Sequence, residues 1–542
     1  MSLPAKNKRI LLGSCLLLFG LALWLGHPVY GSGDDVYLLY LMGGGFGAPP
    51  TALLHYNYLM HPGLGIPLSA LFTYFPVVNW YSLALYGGHL TACLLLANLL
   101  SGTRNLSGAL TALLVLLAVF EIPFLLQPTF SNTALVLSVA ALTGLLAEAQ
   151  RPAGSLARML PYLIVLLVAS LFRFHVLIPI IVTSLPFMLT VARRQKITAL
   201  LLHLTVGGCC LFLLHAAQVR FYERRIPGWD QEEQYRQAVF DLVNRPLNKQ
   251  IASGDPAAAM KQGRLELLEN GMFWDRRFLS VGAIRALGSQ TRLATALEAP
   301  GFSSTLYWLF TNNRLYLAVL AAAMATLALT IRGNCRRWLA PLASLALALG
   351  MTGGLLVFGK LPPYFLEGML LGVSFYWAVL TAPFLPAAAG YRQGLNWLGA
   401  ACLLVWAGIR MEKTAAFNQA ANRRFVCAWQ QVHARADSLF IVTDNRFPLD
   451  YFSVWQSPNR FPLANLLYRD LLFNHTEQDL YRRFSIRDPG DLATGSRVFF
   501  LGGAEQSIPF YYRQVWNLSL RYRAASSAPG CLPVWVLEKT TP

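Results

Sequence analysis

The chain has 542 residues, of which 13% are charged and 55% belong to the hydrophobic set AVILMFWYC, with a mean hydropathy of +0.45. Soluble proteins carry about 25% charged residues on average, so this composition excludes a disordered protein and argues against an ordinary soluble enzyme. The formal net charge of +18 would suit a nucleic-acid-binding protein. Most of that excess falls in short loops between apolar segments, which indicates membrane topology instead. We therefore expect an α-helical polytopic membrane protein without a nucleic-acid partner.

Apolar segments of about 20 residues are long enough to cross a bilayer, and the sequence predicts about eleven of them. They cover 10–26, 79–100, 108–126, 132–149, 159–172, 174–192, 197–217, 313–331, 339–358, 365–385 and 396–410. We interpret the first as an uncleaved span and not as a signal peptide, because no small-residue cleavage site follows it before His27. The fifth and sixth are separated only by Arg173 and His175.

Basic residues concentrate in the loops on one side of these spans, so the positive-inside rule predicts a cytoplasmic N-terminus. The predicted membrane domain is 1–410, with a first outer loop at 27–78 and a long outer loop at 218–304. The hydrophilic segment 411–542 then forms an extracytoplasmic domain. We expect an integral protein of the plasma (bacterial inner) membrane whose C-terminal domain lies in the periplasm.

The segment 411–542 has the pattern of a small α/β domain. Short β-rich runs at Ser438–Thr443, Arg497–Leu501 and Val534–Leu537 predict strands. Ala464–Phe473 and Glu477–Phe484 are predicted to be helical.

The cysteines show no C-x-x-C spacing that would indicate a metal site. Only Cys427 and Cys531 lie in the predicted outer C-terminal segment, where a disulfide is chemically permitted. The sequence leaves open whether these two residues pair.

Acidic residues are scarce outside the two long hydrophilic segments. The exceptions are Asp34, Asp35, Glu121, Glu148 and Glu367. A carboxylate at a membrane is costly unless it is paired or hydrated, so such residues are functional candidates by default. Glu148 lies three residues before Arg151, which favours a surface ion pair, and Glu121 is best interpreted as a buried structural acid.

The pair Asp34-Asp35 follows the first span by about eight residues, within GSGDDVYLLYLMGG. A carboxylate just above the outer leaflet can act as a general base toward a hydroxyl or an amine. Alternatively, Ser32, Asp34 or Asp35 could cap the helix VYLLYLM. These residues alone do not decide between the two interpretations.

The sequence downstream favours catalysis. His55-x-x-Tyr58-x-x-His61-Pro62-Gly63-Leu64 is followed by an apolar segment at 63–76, which is too short to span and is predicted to lie in the membrane interface. An acidic pair after the first span, a long first outer loop, an H-P-x-L turn and an amphipathic helix together resemble the GT-C superfamily. These are multi-span glycosyltransferases that use polyprenyl-phosphate sugars, such as the protein O-mannosyltransferases and the aminoarabinose transferases.

The resemblance implies that Asp35 or Asp34 deprotonates the acceptor, which attacks the sugar with inversion. It implies a polyprenyl-phosphate-sugar donor, a glycan, lipid or protein acceptor, and a site within the lipid bilayer. The residues expected to bind these substrates are His55, Tyr58, His61, Arg173, His175, Lys360, Tyr364 and Glu367. Arg173 is the leading phosphate-binding candidate because arginine binds phosphate oxygens strongly, although it could simply lie in an outer hairpin loop.

The sequence departs from the family pattern at Gly63, where a second proline is usual, and at Asp34-Asp35, where Asp-Glu is common. Both departures leave the sugar and the acceptor open. No cofactor is expected, although some family members use a divalent cation that His55 and His61 could ligate with the aspartates. A transporter or flippase and a non-catalytic cell-envelope scaffold are the alternative functions.

Overall fold

The computed structural model describes residues 5–54, 60–101, 106–150, 156–191, 194–243, 256–269, 275–288, 336–358, 363–381, 390–443, 447–468, 476–526 and 531–540. The helices are α1 (Ala5–Leu25), α2 (Gly33–Gly43), α3 (Pro62–Tyr74), α4 (Trp80–Leu100), α5 (Leu106–Val115), α6 (Ile122–Leu126), α7 (Phe130–Gln150), α8 (Leu156–Val191), α9 (Arg194–Glu223), α10 (Trp229–Val243), α11 (Pro256–Glu269), α12 (Val281–Gly288), α13 (Arg336–Phe358), α14 (Pro363–Thr381), α15 (Gly390–His433), α16 (Thr476–Arg483), α17 (Pro489–Thr494) and α18 (Ser507–Trp516). The strands are β1 (Leu439–Val442), β2 (Leu466–Leu467), β3 (Val498–Leu501), β4 (Leu520–Ser526) and β5 (Val534–Lys539).

Within the described residues, five helical stretches are long and apolar enough to cross a membrane. They are Lys6–Leu25, Trp80–Leu100, Leu106–Leu126, Phe130–Gln150 and Ala157–Thr190. Helices α9, α13, α14 and α15 coincide with four further predicted spans, whereas the predicted span 313–331 lies outside the described residues. The chain is thus a mostly helical membrane protein, and the number of eleven spans stays a prediction.

Helix α7 is the centre of the bundle. In the most apolar stretch of α7, 94% of the residues are buried inside the protein, whereas the same share for α1, at the periphery, is 22%. It packs against α4, α8 and α14. Gly368 of α14 makes this approach possible, because a Cβ at that position would lie 1.9 Å from a methyl carbon of Leu135 in α7.

The third span is not a uniform α-helix. A π-helical turn, Leu116–Glu121, connects α5 to α6, and Pro123 follows within the first turn of α6. A proline has no N–H to donate and its ring presses on the carbonyl four residues earlier, so a wider turn before it relieves both problems. This turn brings the Glu121 side chain into the bundle, where it is fully buried.

Helix α8 contains the predicted fifth and sixth spans with a single interruption. Arg173 has φ −160° and ψ 104°, which is extended backbone, while its neighbours are helical. The interruption between the two helical segments is thus a single extended residue.

The C-terminal segment forms a five-stranded mixed sheet with the order β2-β1-β3-β5-β4. Strand β1 pairs in parallel with β2 and β3, whereas β5 is antiparallel to both β3 and β4. Strands β1, β3 and β5 coincide with the three apolar runs that predicted strands, and α16 with the predicted helix Glu477–Phe484.

The predicted helix Ala464–Phe473 is wrong in its described part. Leu466 and Leu467 form strand β2 instead, aligned with Phe440 and Ile441 of β1. The side-chain amide of Asn465 donates to the carbonyls that end α15 and begin β1, namely those of Val432, Arg435 and Ser438. These long-range bonds outweigh the local helical pattern. Residues 469–475 lie outside the described residues.

Helix α15 runs through the predicted domain boundary at residue 410 without a break, from the last predicted span into the C-terminal sheet layer. At its far end Cys427 forms a disulfide with Cys531, their Cα atoms lying 5.7 Å apart. The pairing that the sequence left open is therefore present.

The C-terminal segment packs directly on the first predicted outer loop. The Tyr30 N–H donates to the Phe452 carbonyl at 3.2 Å, and the Leu463 N–H donates to the Gly45 carbonyl at 2.7 Å. The Tyr40 hydroxyl donates to the Phe461 carbonyl at 2.8 Å. Helix α2, which carries the aspartate pair, is thereby held between the spans and the sheet.

Candidate active site

The first outer loop is fixed to the beginning of α7 by backbone hydrogen bonds. The Val29 N–H donates to the Leu126 carbonyl and the Gly31 N–H to the Pro128 carbonyl, both at 3.2 Å. The chain then turns into α2 at Ser32. The first turn of α2 consequently lies beside the first residue of α7.

Ser32 is the N-cap of α2, and its hydroxyl accepts from the Asp34 N–H at 3.1 Å. Of the capping alternatives that the sequence allowed, the serine is the one used. Asp34 and Asp35 occupy the first turn, where the unpaired N–H groups of a helix favour negative charge. Neither carboxylate is consumed in capping its own helix.

Asp35 is fully buried and connects three helices. Its Oδ1 accepts a hydrogen bond from the Tyr81 hydroxyl of α4 at 2.7 Å and another from the Phe130 N–H, the first of α7, at 2.8 Å. Among the described residues nothing bonds its Oδ2, which is also buried. Buried polar atoms are almost always satisfied, so a proton, a water or a substrate group is expected at this oxygen, as it is at the other buried atoms without a partner, such as Glu121 Oε2.

The surroundings of Asp35 favour uptake of a proton. Burial raises the pKa of Asp35 well above its usual range, and the neighbouring Asp34 carboxylate acts in the same direction. The hydrogen bonds from Tyr81 and Phe130 and the charge of Arg173 oppose this shift and favour the ionised form. A carboxyl with such opposing influences has the properties of a general base.

Arg173 reaches the same region from the break in α8. Its guanidinium donates to the Ser131 hydroxyl and lies over the Phe130 ring, 5.0 Å from the ring centroid. Because Phe130 also bonds Asp35, the arginine and the aspartate meet at the first turn of α7. The structure thus brings together two residues that are far apart in sequence and that the sequence had singled out separately.

His61 is the N-cap of α3, with Nδ1 accepting from the Gly63 N–H at 2.9 Å. Its Nε2 lies 2.9 Å from the Leu214 carbonyl of α9 and must therefore carry the proton. Both nitrogens are used, so His61 has no lone pair to offer a metal ion in this arrangement. The described residues contain no group of three His, Cys, Asp or Glu side chains that could hold a metal.

His175 is exposed, two residues beyond the break in α8. Its ring lies edge-on to Phe174, and Phe174 stacks on His215 of α9 at 5.5 Å. His215 was not a sequence candidate, since it lies at the end of an apolar run with no motif around it. His215 is within electrostatic reach of both His61 and His175.

The remaining predicted site residues are His55, Tyr58, Lys360, Tyr364 and Glu367. His55, Tyr58 and Lys360 lie outside the described residues. Tyr364 lies in α14, but its side chain is not described, and Glu367 of the same helix is half-buried.

Two residues of the C-terminal segment approach the first turn of α2. A Cβ placed on Gly33 would lie 2.5 Å from Asp450 Oδ1 and 3.4 Å from the Tyr468 hydroxyl. The sequence predicted neither residue, and it also missed Tyr81. The one available signal was physical: a buried carboxylate needs donors, and tyrosines are common in this chain.

No family model matches the chain, and no curated protein matches it. The chain is similar to the crystal structure of ArnT from Cupriavidus metallidurans in the apo state, with a TM-score of 0.44, 13% identity and 97% of each chain covered.

Proposed function

We propose that this protein is a membrane glycosyltransferase that moves a sugar from a polyprenyl-phosphate donor to an acceptor at the outer face of the membrane. The observation that carries the proposal is the state of Asp35. One of its oxygens is held by two donors, the other has no partner among the described residues, and a cationic side chain lies beside it.

The chemistry follows from these positions. Asp35 Oδ2 takes the proton from the acceptor's hydroxyl or amine, and the nucleophile attacks the anomeric carbon of the donor sugar. The new bond joins the acceptor to that carbon, while the carbon–oxygen bond to phosphate breaks and its electron pair leaves with the lipid phosphate. Attack opposite the leaving group inverts the anomeric centre.

Arg173 is proposed to bind the donor phosphate. A guanidinium binds phosphate oxygens in bidentate geometry and strengthens this interaction where water is excluded. The break in α8 is what allows a charged residue to leave an apolar helix and turn toward α7. Phosphate charge that develops as the bond breaks would be stabilised there.

The test of the function is a deletion strain compared with the wild type by lipid mass spectrometry and surface-glycan profiling. We expect a polyprenyl-phosphate sugar to accumulate in the deletion strain and one modified glycan, lipid or protein to disappear. A plasmid copy of the wild-type gene should reverse both changes. If neither lipid-linked sugars nor surface molecules change, the transferase proposal is wrong and a scaffold is favoured.

The proposed outer location of the site has its own test. Arg482 of α16 is exposed in the C-terminal segment, with 75% of its side chain accessible. An Arg482→Cys variant should react with a membrane-impermeant maleimide in intact spheroplasts, whereas a Lys6→Cys variant should react only after lysis. The reverse pattern would overturn the predicted orientation and the outer site with it.

A further inference from the structure

The Tyr81 hydroxyl is the only side-chain donor that bonds the Asp35 carboxylate among the described residues. A phenol is protonated at physiological pH because its ordinary pKa is about 10, so Tyr81 donates and Asp35 accepts. Both donors to Asp35 converge on Oδ1. They therefore leave Oδ2 as the atom whose lone pairs are available.

The position of Tyr81 is fixed independently of Asp35. Asn79 caps α4 by accepting from the Ser82 N–H at 3.1 Å, which sets the backbone around Tyr81. The Tyr81 ring stacks on Tyr30 with centroids 6.0 Å apart. A buried ring that is held in this way presents its hydroxyl in one direction.

Asn79 also ties this arrangement to the C-terminal segment. Its side-chain nitrogen donates to the Val454 and Gln456 carbonyls at 3.0 and 2.8 Å. The first turn of α4 is therefore anchored both to the first outer loop and to the sheet region. Such support from surrounding residues is what a precisely placed catalytic group requires.

We propose that Tyr81 is a positioning residue that orients Asp35 so that Oδ2, and not Oδ1, takes the proton of the acceptor. This inference rests on the proposed function, because it assigns a role within the same reaction. Tyr81 acts through Asp35 and contacts no substrate. Without its hydroxyl, the carboxylate keeps only the Phe130 N–H and can rotate about its Cβ–Cγ bond.

Several titratable groups face Asp35 or the helix that carries it. They are Asp34 of α2, Tyr30 of the first outer loop, Tyr81 of α4, Arg173 at the break in α8, and Asp450 and Tyr468 of the C-terminal segment. Tyr81→Phe changes only one of these and preserves the ring. A donor to the ionised carboxylate lowers its pKa, so losing that donor should raise it.

The expected consequence is a pH-dependent loss of rate. Asp35 works as a base only when ionised, so activity rises with pH through its pKa. In Tyr81→Phe, kcat at neutral pH should fall about 10- to 100-fold, as for a lost hydrogen bond to a charged group. The acidic limb of the pH–rate profile should move to higher pH by about one unit or more. The KM for the donor should stay unchanged.

Tyr86→Phe is the matched control. Tyr86 is a buried tyrosine on the same helix, and its hydroxyl donates to the Leu125 carbonyl at 3.0 Å, away from Asp35. Both variants lose one buried hydroxyl and its hydrogen bond. If the two show the same pH-independent loss, Tyr81 contributes packing only and the inference is wrong.

The assay uses the full chain in membranes of the deletion strain, with the lipid-linked sugars that this strain accumulates as donor. Asp35→Asn is measured in parallel. Full activity of Asp35→Asn would overturn the proposed function itself. An inactive Asp35→Asn together with a wild-type pH profile for Tyr81→Phe would overturn only the role of Tyr81.

A second variant at the same position tests the inference even if Tyr81→Phe does not fold. Incorporation of 3-fluorotyrosine at position 81 keeps the shape and makes the phenol a stronger donor. The acidic limb should then move to lower pH, opposite to the phenylalanine variant. Infrared titration of the Asp35 carboxyl in the purified full chain should report the same two directions without turnover. An unmoved titration in both variants would contradict the inference.

Discussion

Two buried carboxylates of this protein show how differently an acid can be accommodated. Asp35 lies in the first outer loop and is bonded by two neutral donors, a phenol and a backbone N–H. Glu121 lies inside the bundle and is bonded by His89, with 2.7 Å between Oε1 and Nδ1 and both side chains fully buried. The Cys93 thiol lies next to the same glutamate.

The partners decide what each acid can do. The Glu121 carboxylate and the His89 ring bond each other inside the bundle, which connects α4 to the third span. Among the described residues, Asp35 accepts hydrogen bonds from a phenol and a backbone N–H, and its Oδ2 has no partner. We therefore expect the Glu121–His89 pair to hold α4 against the third span and Asp35 to take part in the proposed reaction.

The largest expected effect separates the two acids by activity. Asp35→Asn keeps an oxygen that can accept from Tyr81 and Phe130 but cannot take a proton. We expect kcat to fall about 10²- to 10⁴-fold, with normal expression. Asp34→Asn is the control and should lose little, because Ser32 and not Asp34 caps α2. Near-normal turnover of both variants would refute the proposed mechanism.

The two acids should also differ in their contribution to stability, which we expect to be larger for Glu121. Glu121→Leu leaves the His89 Nδ1 buried without its hydrogen-bond partner, and a buried polar group left unsatisfied costs about 1–3 kcal/mol. We expect a marked fall in the thermal unfolding midpoint of the purified protein, with kcat of the folded fraction close to that of the wild type. The double variant His89→Leu/Glu121→Leu should recover most of the stability, since neither bonding atom of the pair is then left without its partner. A double variant as unstable as the single one would show that the pair does not act as a unit.

A smaller effect is expected at Arg173. Arg173→Ala should raise the KM for the donor about 10- to 100-fold, the range for a hydrogen bond to a charged group, and Arg173→Lys should recover only part because an ammonium lacks bidentate geometry. Ser131→Ala is the matched control, as it removes the contact of Arg173 with Ser131 but keeps the guanidinium. Wild-type donor affinity in Arg173→Ala would leave Arg173 with a structural role only.

The sequence predicted what depends on local pattern. The spans at Trp80–Leu100 and Phe130–Gln150 follow from apolar length, and strands β1 and β3 from β-rich runs bounded by turns. The sequence singled out the pair Asp34-Asp35 because few carboxylates lie outside the hydrophilic segments.

The partners of Asp35 were not predictable from the sequence. Tyr81 is 46 residues away and Phe130 is 95 residues away. No spacing rule links them, since their proximity results from packing of α4 and α7. The sequence also did not predict that α15 continues through residue 410. This helix is stabilised by long-range contacts with the C-terminal segment as well as by its own sequence. Local patterns thus found the acid, and tertiary packing supplied its environment.

The smallest expected effect concerns His61, a titratable residue of the first outer loop. We expect its role to be structural, like that of Glu121, and not catalytic, like that of Asp35. His61 uses both ring nitrogens for structure, and burial lowers its pKa below the usual value of 6.5. The folded state thus binds fewer protons at His61 than the unfolded state does at mildly acidic pH. By linkage, this contribution to stability is present above pH 6.5 and is lost as the pH falls through the lowered pKa.

His61→Asn should remove this pH dependence while keeping the helix cap, because asparagine caps as well as any residue. Above pH 6.5 the variant should lose about 1 kcal/mol for the missing bond to the Leu214 carbonyl. As the pH falls, its unfolding midpoint should decline less steeply than that of the wild type, so the two curves converge. Thermal unfolding in detergent from neutral to mildly acidic pH measures both. Turnover should remain near normal, since the histidine caps α3 and the proposed mechanism assigns the proton transfer to Asp35. The structural role would be wrong if His61→Asn lost as much activity as Asp35→Asn while its unfolding midpoint changed with pH in parallel with that of the wild type. His61 would then take part in the reaction.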